Sequence, residues 1–148
     1  MIDKNIKIIL VDDDEDDRML FGTAIESLDM DIYLTTKENG LELIEYLKKP
    51  ETIIPDLLFL DLNMPYMGGF ECLSRIREDP KTKKLPVAIY STSSSKKDME
   101  EAFMKGANIY INKPNDYNKL KLALKQVICT NWQYKQAGFD MDSFILNL

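Results

Sequence analysis

Five polar residues stand at the ends of short apolar, β-branched segments of this chain. Asp12 and Asp13 follow IKIILV, Asp61 follows LLFL, Ser91 follows VAIY and Lys113 follows IYIN. The carboxyl ends of the strands in an open parallel sheet form one edge, where ligands bind, so these side chains should converge there. Three carboxylates, one hydroxyl and one ammonium group would suit a divalent cation together with a phosphoryl group.

The acidic run 12–17 is the densest charge in the sequence. A solvated acidic turn followed by a helix start is one interpretation, because acidic residues favour the first helical turn. Asp12 and Asp13, however, adjoin the strand end and would repel Asp61 unless a cation lay between them. Hard oxygen ligands suit Mg²⁺. We therefore assign Asp13 and Asp61 as direct ligands and Asp12 as a ligand through water. The backbone carbonyl of Asn63 can complete the set.

Asp61 is the expected chemical centre. Its carboxylate could attack an activated phosphoryl group and form an aspartyl phosphate. Ser91 could donate a hydrogen bond to one phosphoryl oxygen, and Lys113 could pair with another. Each residue taken singly also fits an ordinary role, as a capping aspartate, a turn serine or an exposed lysine. Their common position at strand ends favours a shared site.

The elements that must position these residues alternate between strand and helix along the whole chain. The buried stripe of the first helix is predicted to contain Leu20, Ala24, Ile25 and Leu28, and Gly106 is predicted to follow the end of the fourth helix. This alternation predicts a doubly wound, five-stranded parallel sheet, flavodoxin-like, with strand order 2-1-3-4-5 and helices on both faces. The predicted strands are 7–11, 32–36, 57–61, 87–90 and 109–112, and the predicted helices are 16–28, 40–48, 69–77, 98–105 and 116–130.

Composition narrows the function classes. The net charge of −6 argues against direct binding of nucleic acid, and no apolar run approaches the length of a membrane span. The sequence has no histidine, which excludes histidine-based catalysis and metal ligation. Its two cysteines, Cys72 and Cys129, are far apart and are expected to be reduced, which indicates a cytoplasmic protein.

The site motifs resemble those of one known family. IILVDDD, LFLDLNMPYMGG, LPVAIYSTSS and GANIYINKP are similar to the motifs of the receiver domain of two-component response regulators. The likeness is strongest to the single-domain kind typified by the chemotaxis regulator. It extends from about Lys7 to Ile128, which is nearly the whole chain.

This resemblance implies a mechanism and several residue roles. It implies that a sensor histidine kinase or a histidine phosphotransfer protein phosphorylates Asp61, with Mg²⁺ held by the three aspartates. It assigns Ser91 as the switch hydroxyl and Tyr110 as the switch aromatic, which turns inward on phosphorylation and remodels the surface around the fourth helix, fifth strand and fifth helix. It also implies a cis peptide bond between Lys113 and Pro114.

Two positions depart from the family pattern. Thr92 stands where the family usually has alanine or glycine, and it is expected to slow access of water to the phosphoryl group. Asn115 stands where phenylalanine often follows the Lys-Pro pair.

The leading hypothesis is a phospho-accepting signalling switch that acts through protein–protein contacts and catalyses only its own phosphorylation and dephosphorylation. One alternative is a phosphatase or phosphotransferase with an aspartyl nucleophile on the same fold. Those enzymes usually place a second acid two residues after the nucleophile, where this chain has Asn63. A phosphorylation-independent docking module is the third interpretation.

The C-terminal residues extend beyond the resemblance. We divide the chain into a receiver domain, 1–130, and an apolar extension, 131–148, and we expect a monomer or a weak homodimer. The extension is predicted to pack on the domain, where it either caps the core or masks the surface beside the fifth helix, or to pack on a partner. Its large apolar residues are Trp132, Phe139, Phe144, Ile145, Leu146 and Leu148.

Overall fold

A computed structural model describes residues 5–130 and 141–146 of the chain. Five parallel strands form one sheet in the order β2-β1-β3-β4-β5, which confirms the predicted fold and strand order. Apolar runs bounded by turn residues account for the strands, as expected for a sheet that helices cover on both faces. The strands are β1 (Ile6–Val11), β2 (Ile32–Lys37), β3 (Leu57–Leu60), β4 (Val87–Ser91) and β5 (Ile109–Asn112).

Helices connect the strands and cover both faces of the sheet. Several begin at a side-chain cap: Asp14 accepts a hydrogen bond from Asp17 N, and Asn39 accepts one from Glu42 N. The predicted bounds agree with the structure to within about two residues, the ordinary uncertainty of helix ends. The helices are α1 (Glu15–Ser27), α2 (Gly40–Lys48), α3 (Gly69–Glu78), α4 (Lys96–Met104), α5 (Tyr117–Ile128) and the short α6 (Met141–Phe144).

Side-chain alternation along the strands divides the core into two layers. In β1, Ile8 and Leu10 belong to the layer that includes the buried residues of α1 and α5. Ile9 and Val11 belong to the layer that includes the buried residues of α2 and α3. Successive residues of a strand point to opposite faces, so a continuous apolar strand supplies both layers.

One of the four residues predicted for the buried stripe of α1 is wrong. Leu20 is 44% exposed, whereas Phe21 is fully buried and packs edge-on against Phe59 and Tyr90. Phe21, with Ala24, Ile25 and Leu28, forms the spacing i, i+3, i+4, i+7 that a helix needs for one apolar stripe. The larger side chain therefore sets the rotation of α1 against the sheet.

A single arginine joins three segments near the amino ends of β4 and β5. Arg77 donates hydrogen bonds to the carbonyl oxygens of Leu85 (2.7 Å) and Gly106 (3.0 Å) and to Oδ1 of Asn108 (2.9 Å). The same Oδ1 accepts from Val87 N at 2.8 Å. Gly106, with φ of 94°, ends α4 in the left-handed region, as predicted. The last turn of α3, the start of β4 and the α4–β5 turn are thus held together.

The described part of the C-terminal extension, residues 141–146, contacts β5. Ile145 pairs with Tyr110 in a parallel bridge. Residues 131–140 and 147–148, among them Trp132, Phe139 and Leu148, lie outside the described residues, so a domain boundary at residue 130 stays a prediction. No helix within the described residues is long and apolar enough to cross a membrane.

Candidate functional site

Three carboxylates meet at the carboxyl edge of the sheet. Oxygen atoms of Asp12, Asp13 and Asp61 all lie within 4.8 Å of one another. They converge because β1 and β3 are neighbours and end together, with Val11 paired to Leu60. Asp12 is fully buried, Asp61 is 6% exposed and Asp13 is exposed. This arrangement concentrates negative charge where a hard cation could bind.

Asp12 has both of its carboxylate oxygens occupied by protein donors. Oδ1 accepts from Asp14 N at 3.0 Å, and Oδ2 accepts from Lys113 Nζ at 2.8 Å. Its carbonyl oxygen accepts from the Arg18 guanidinium at 2.8 Å. Asp13, in contrast, faces solvent, an arrangement that suits the predicted division between a water-mediated and a direct ligand.

Asp61 lies directly after β3, backed by the beginning of α3. Its Oδ1 accepts from Leu62 N at 2.8 Å, and its Oδ2 lies 3.5 Å from Lys113 Nζ. Gly69 allows the start of α3 to approach this closely, because a Cβ there would collide with the carbonyl oxygen of Asp61. The carboxylate is thus fixed in one orientation.

The environment of Asp61 disfavours its charged form. The pKa of this carboxyl is raised to about 6, mainly by burial and in addition by the charges of Asp12 and Asp13. Lys113 and the Leu62 N–H bond act in the opposite direction but do not compensate. A buried carboxyl with a raised pKa beside like charges is typical of a functional site.

Lys113 reaches three carboxylates from the end of β5. Its Nζ lies 2.8 Å from Asp12 and 2.9 Å from Asp17, in addition to the Asp61 contact, and sits 5.3 Å from the centre of the Tyr90 ring. Burial acts to lower the pKa of Lys113, but the hydrogen bonds to Asp12 and Asp17 outweigh it and the pKa is raised. The ammonium group therefore stays charged.

Asp17 is the site residue that sequence reasoning missed. It lies in the first turn of α1, where an acidic residue is explained by the helix dipole alone. Its contact with Lys113 joins residues 96 positions apart. Its only sequence signal was its membership of the acidic run 12–17, which adjoins the end of the first strand.

Ser91 and Tyr110 are linked through the loop that follows β4. Ser91 is fully buried, and its Oγ accepts from Ser93 N at 3.1 Å. The Tyr110 hydroxyl donates to the carbonyl oxygen of Ser93 at 2.9 Å, and the side-chain amide of Asn112 donates to the same oxygen at 3.0 Å. The Tyr110 ring is fully buried, which is the inward position that the resemblance associates with phosphorylation.

Two further expectations concern the backbone of the site. The bond between Lys113 and Pro114 is trans, so the predicted cis bond is wrong for this structure. The trans form is favoured by about 0.5–1 kcal/mol for most bonds that precede proline. Asn63 is exposed two residues after Asp61, and the ligand role of its carbonyl oxygen stays a prediction.

An open parallel α/β fold with an acidic cluster and a lysine at its carboxyl edge defines the class of this domain. Residues 8–125 match the family described as the response regulator receiver domain. The chain belongs to this family, which confirms the resemblance of the sequence motifs.

Individual relatives support the same assignment. A chemotaxis protein CheY homolog of Campylobacter jejuni is 31% identical over 125 residues, which cover 84% of this chain and 94% of that protein. The phosphorylated cyanobacterial phytochrome response regulator RcpA superposes with a TM-score of 0.78 at 31% identity, covering 84% of this chain and 91% of RcpA. The Mn²⁺-bound form of response regulator Rcp1 gives a TM-score of 0.76 at 25% identity, covering 89% of this chain and 98% of Rcp1.

Proposed function

We propose that this protein is a two-component signalling switch that accepts a phosphoryl group on Asp61 and acts through protein–protein contacts. The observation that carries this proposal is the grouping of Asp12, Asp13, Asp61 and Lys113 at one edge of the sheet. The phosphorylation of RcpA supports it by analogy. The donor would be a phosphohistidine on a sensor kinase or phosphotransfer protein in the cytoplasm, and the free thiols of Cys72 and Cys129 suit that compartment.

The residues present fit a magnesium ion. Three carboxylates within 4.8 Å provide the hard oxygen donors that Mg²⁺ prefers, and the Mn²⁺ in Rcp1 supports a divalent metal by analogy. Asp13, Asp61 and the Asn63 carbonyl would bind the ion directly, and Asp12 would act through water. The ion would supply neutralisation of the charge on the transferring group.

The chain's own residues account for the transfer step. An oxygen of Asp61 attacks phosphorus while the bond from phosphorus to the histidine nitrogen breaks, and the histidine keeps that electron pair. Lys113, already 3.5 Å from Asp61, moves its ammonium group from Asp12 and Asp17 to a phosphoryl oxygen. Ser91 rotates its hydroxyl, which now accepts from Ser93 N, to donate to another phosphoryl oxygen.

We propose no turnover of an external substrate. An enzyme with an aspartyl nucleophile needs a general acid to protonate its leaving group. Asn63 occupies the position where such enzymes usually have that acid, and an amide cannot serve. The domain therefore promotes only its own phosphorylation and dephosphorylation.

Incubation with a small phosphodonor and Mg²⁺ tests the proposal. We expect one phosphoryl group per chain, detected by intact mass spectrometry, labile in acid and cleaved by hydroxylamine, as an acyl phosphate is. Asp61→Asn should abolish the adduct, and Asp16→Asn, an exposed aspartate outside the cluster, should retain it. Continuous hydrolysis of the donor without an adduct would support the enzyme instead, and inertness would support the docking module.

A further inference from the structure

The residues 141–146, here called the C-terminal segment, bury an aromatic side chain between α4 and β5. Phe144 is 1% exposed. Its ring lies 5.4 Å from the Phe103 ring of α4 and 6.3 Å from the Tyr110 ring of β5, measured between centroids. Both contacts are inclined, as aromatic pairs prefer. Phe144 therefore belongs to the core layer on this side of the sheet.

The backbone of the C-terminal segment continues the sheet beyond β5. Leu146 N donates to the carbonyl oxygen of Tyr110 at 3.0 Å, and Ile145 pairs with Tyr110 in the parallel bridge. Ile145 packs against one core layer and Leu146 against the other, which is the alternation of a strand. The segment thus covers the polar edge of β5, which would otherwise be open to another chain.

Tyr110 is held on both sides. Its hydroxyl donates to the Ser93 carbonyl, and Phe144 packs against its ring. An outward turn of Tyr110 would therefore break its hydrogen bond to the Ser93 carbonyl and separate its ring from Phe144.

We propose that the C-terminal segment is a built-in ligand of the surface formed by α4 and β5, and that a partner binds this surface only by displacing it. The surface accepts an aromatic side chain beside Phe103 and a backbone N–H at the Tyr110 carbonyl. It therefore fits a short peptide that adds to the sheet edge and anchors an aromatic ring. The inference goes beyond the proposed phosphorylation and does not depend on it.

The C-terminal segment that occupies this surface belongs to the same chain and not to a second copy. Ten residues, 131–140, connect it to the rest of the domain. A short tether gives a local concentration on the order of mM, which exceeds that of a second copy at micromolar protein. Binding within one chain is therefore favoured over exchange between chains.

A labelled peptide of residues 139–148 tests this proposal in full-length protein by fluorescence anisotropy. The wild-type chain should bind it weakly, because its own segment occupies the surface. Phe144→Ala should bind it at least tenfold more tightly, and Leu146→Pro, which removes the N–H donor to Tyr110 together with the Leu146 side chain, should change binding in the same direction. Tyr33→Ala, an exposed aromatic on the opposite edge strand, should behave as wild type.

Hydrogen exchange and sedimentation complete the test. The amides of residues 96–112 should exchange faster in Phe144→Ala than in wild type, while those of β2 stay unchanged. Equal peptide binding by wild type, Phe144→Ala and Leu146→Pro would overturn the proposal. So would a wild-type dimer that Phe144→Ala converts to a monomer, because the segment would then act between copies.

Discussion

Asp13→Asn should stabilise the metal-free protein, although it replaces a charged, solvent-exposed side chain by a neutral one. Asp12, Asp13 and Asp61 lie within 4.8 Å of one another, and Lys113 already pairs with Asp12 and Asp17. Asp13 therefore adds negative charge that the protein does not neutralise. Replacing its carboxylate by an amide keeps the shape and removes that repulsion.

The size of this effect follows from the distance and the exposure. Two unit charges 4.8 Å apart repel by about 0.9 kcal/mol at the dielectric constant of water and by about 3.5 kcal/mol at an effective value near 20. Because Asp13 is exposed, the smaller figure applies. A gain of about 1 kcal/mol corresponds to a rise of roughly 2–4 °C in Tm for a chain of this size.

Magnesium should reverse the order of stability. A ligand that binds only the folded state at ten times its Kd stabilises that state by about 1.4 kcal/mol. Wild type should therefore gain roughly 3–6 °C on addition of Mg²⁺. Asp13→Asn should gain much less, because it has lost a direct ligand.

Thermal melts in EDTA and in excess Mg²⁺ at neutral pH measure both effects. Asp16→Asn makes the same charge change outside the cluster, and it should not raise Tm, because it removes an acid that favours the first turn of α1. An Asp13→Asn protein that is less stable than wild type in EDTA, or that responds to Mg²⁺ as fully as wild type, would refute the reasoning.

Three more changes probe the site. The pKa of Asp61 is higher when folded (about 6) than its ordinary value of 3.8, so the free energy of unfolding should fall as pH rises between those values. The total change in the free energy of unfolding is up to ~3 kcal/mol. Asp61→Asn should flatten this dependence on pH in metal-free melts. An unchanged slope would contradict the prediction. Asp17→Asn should speed phosphorylation by a small donor severalfold, because Lys113 loses one competing carboxylate; rates equal to those of Asp16→Asn would exclude that role. Ser91→Ala should still accept a phosphoryl group but lose any change in hydrogen exchange of β5 on phosphorylation, and a wild-type response would make Ser91 a turn residue only.

Much of the architecture was predictable because local signals agree with it. The apolar runs that end at Asp12, Asp61, Ser91 and Lys113 are strands, and parallel pairing places their carboxyl ends at one edge. The cluster of acids follows from that topology without any further information. The helix ends were also marked, for example by the left-handed Gly106.

The remainder depended on contacts between distant residues. Asp17 becomes a site residue only because Lys113 reaches it across the fold, and a helix-start acid carries no sign of that. The choice between Leu20 and Phe21 depended on the space beside Phe59, which the sequence does not report. The isomer at Pro114 depends on a small free-energy difference that tertiary contacts can decide either way.

The arginine that joins α3 to the amino ends of β4 and β5 has a mechanical consequence. Arg77 holds Gly106, and therefore the C-terminal end of α4, to the body of the domain. At its other end α4 begins beside Ser93, whose hydroxyl donates to Asp98 at 2.6 Å and whose carbonyl accepts from Tyr110. A displacement of Ser93 would then rotate α4 about its C-terminal end, which Arg77 holds in place through Gly106. The largest movement would occur at its first turn, which Ser95 caps.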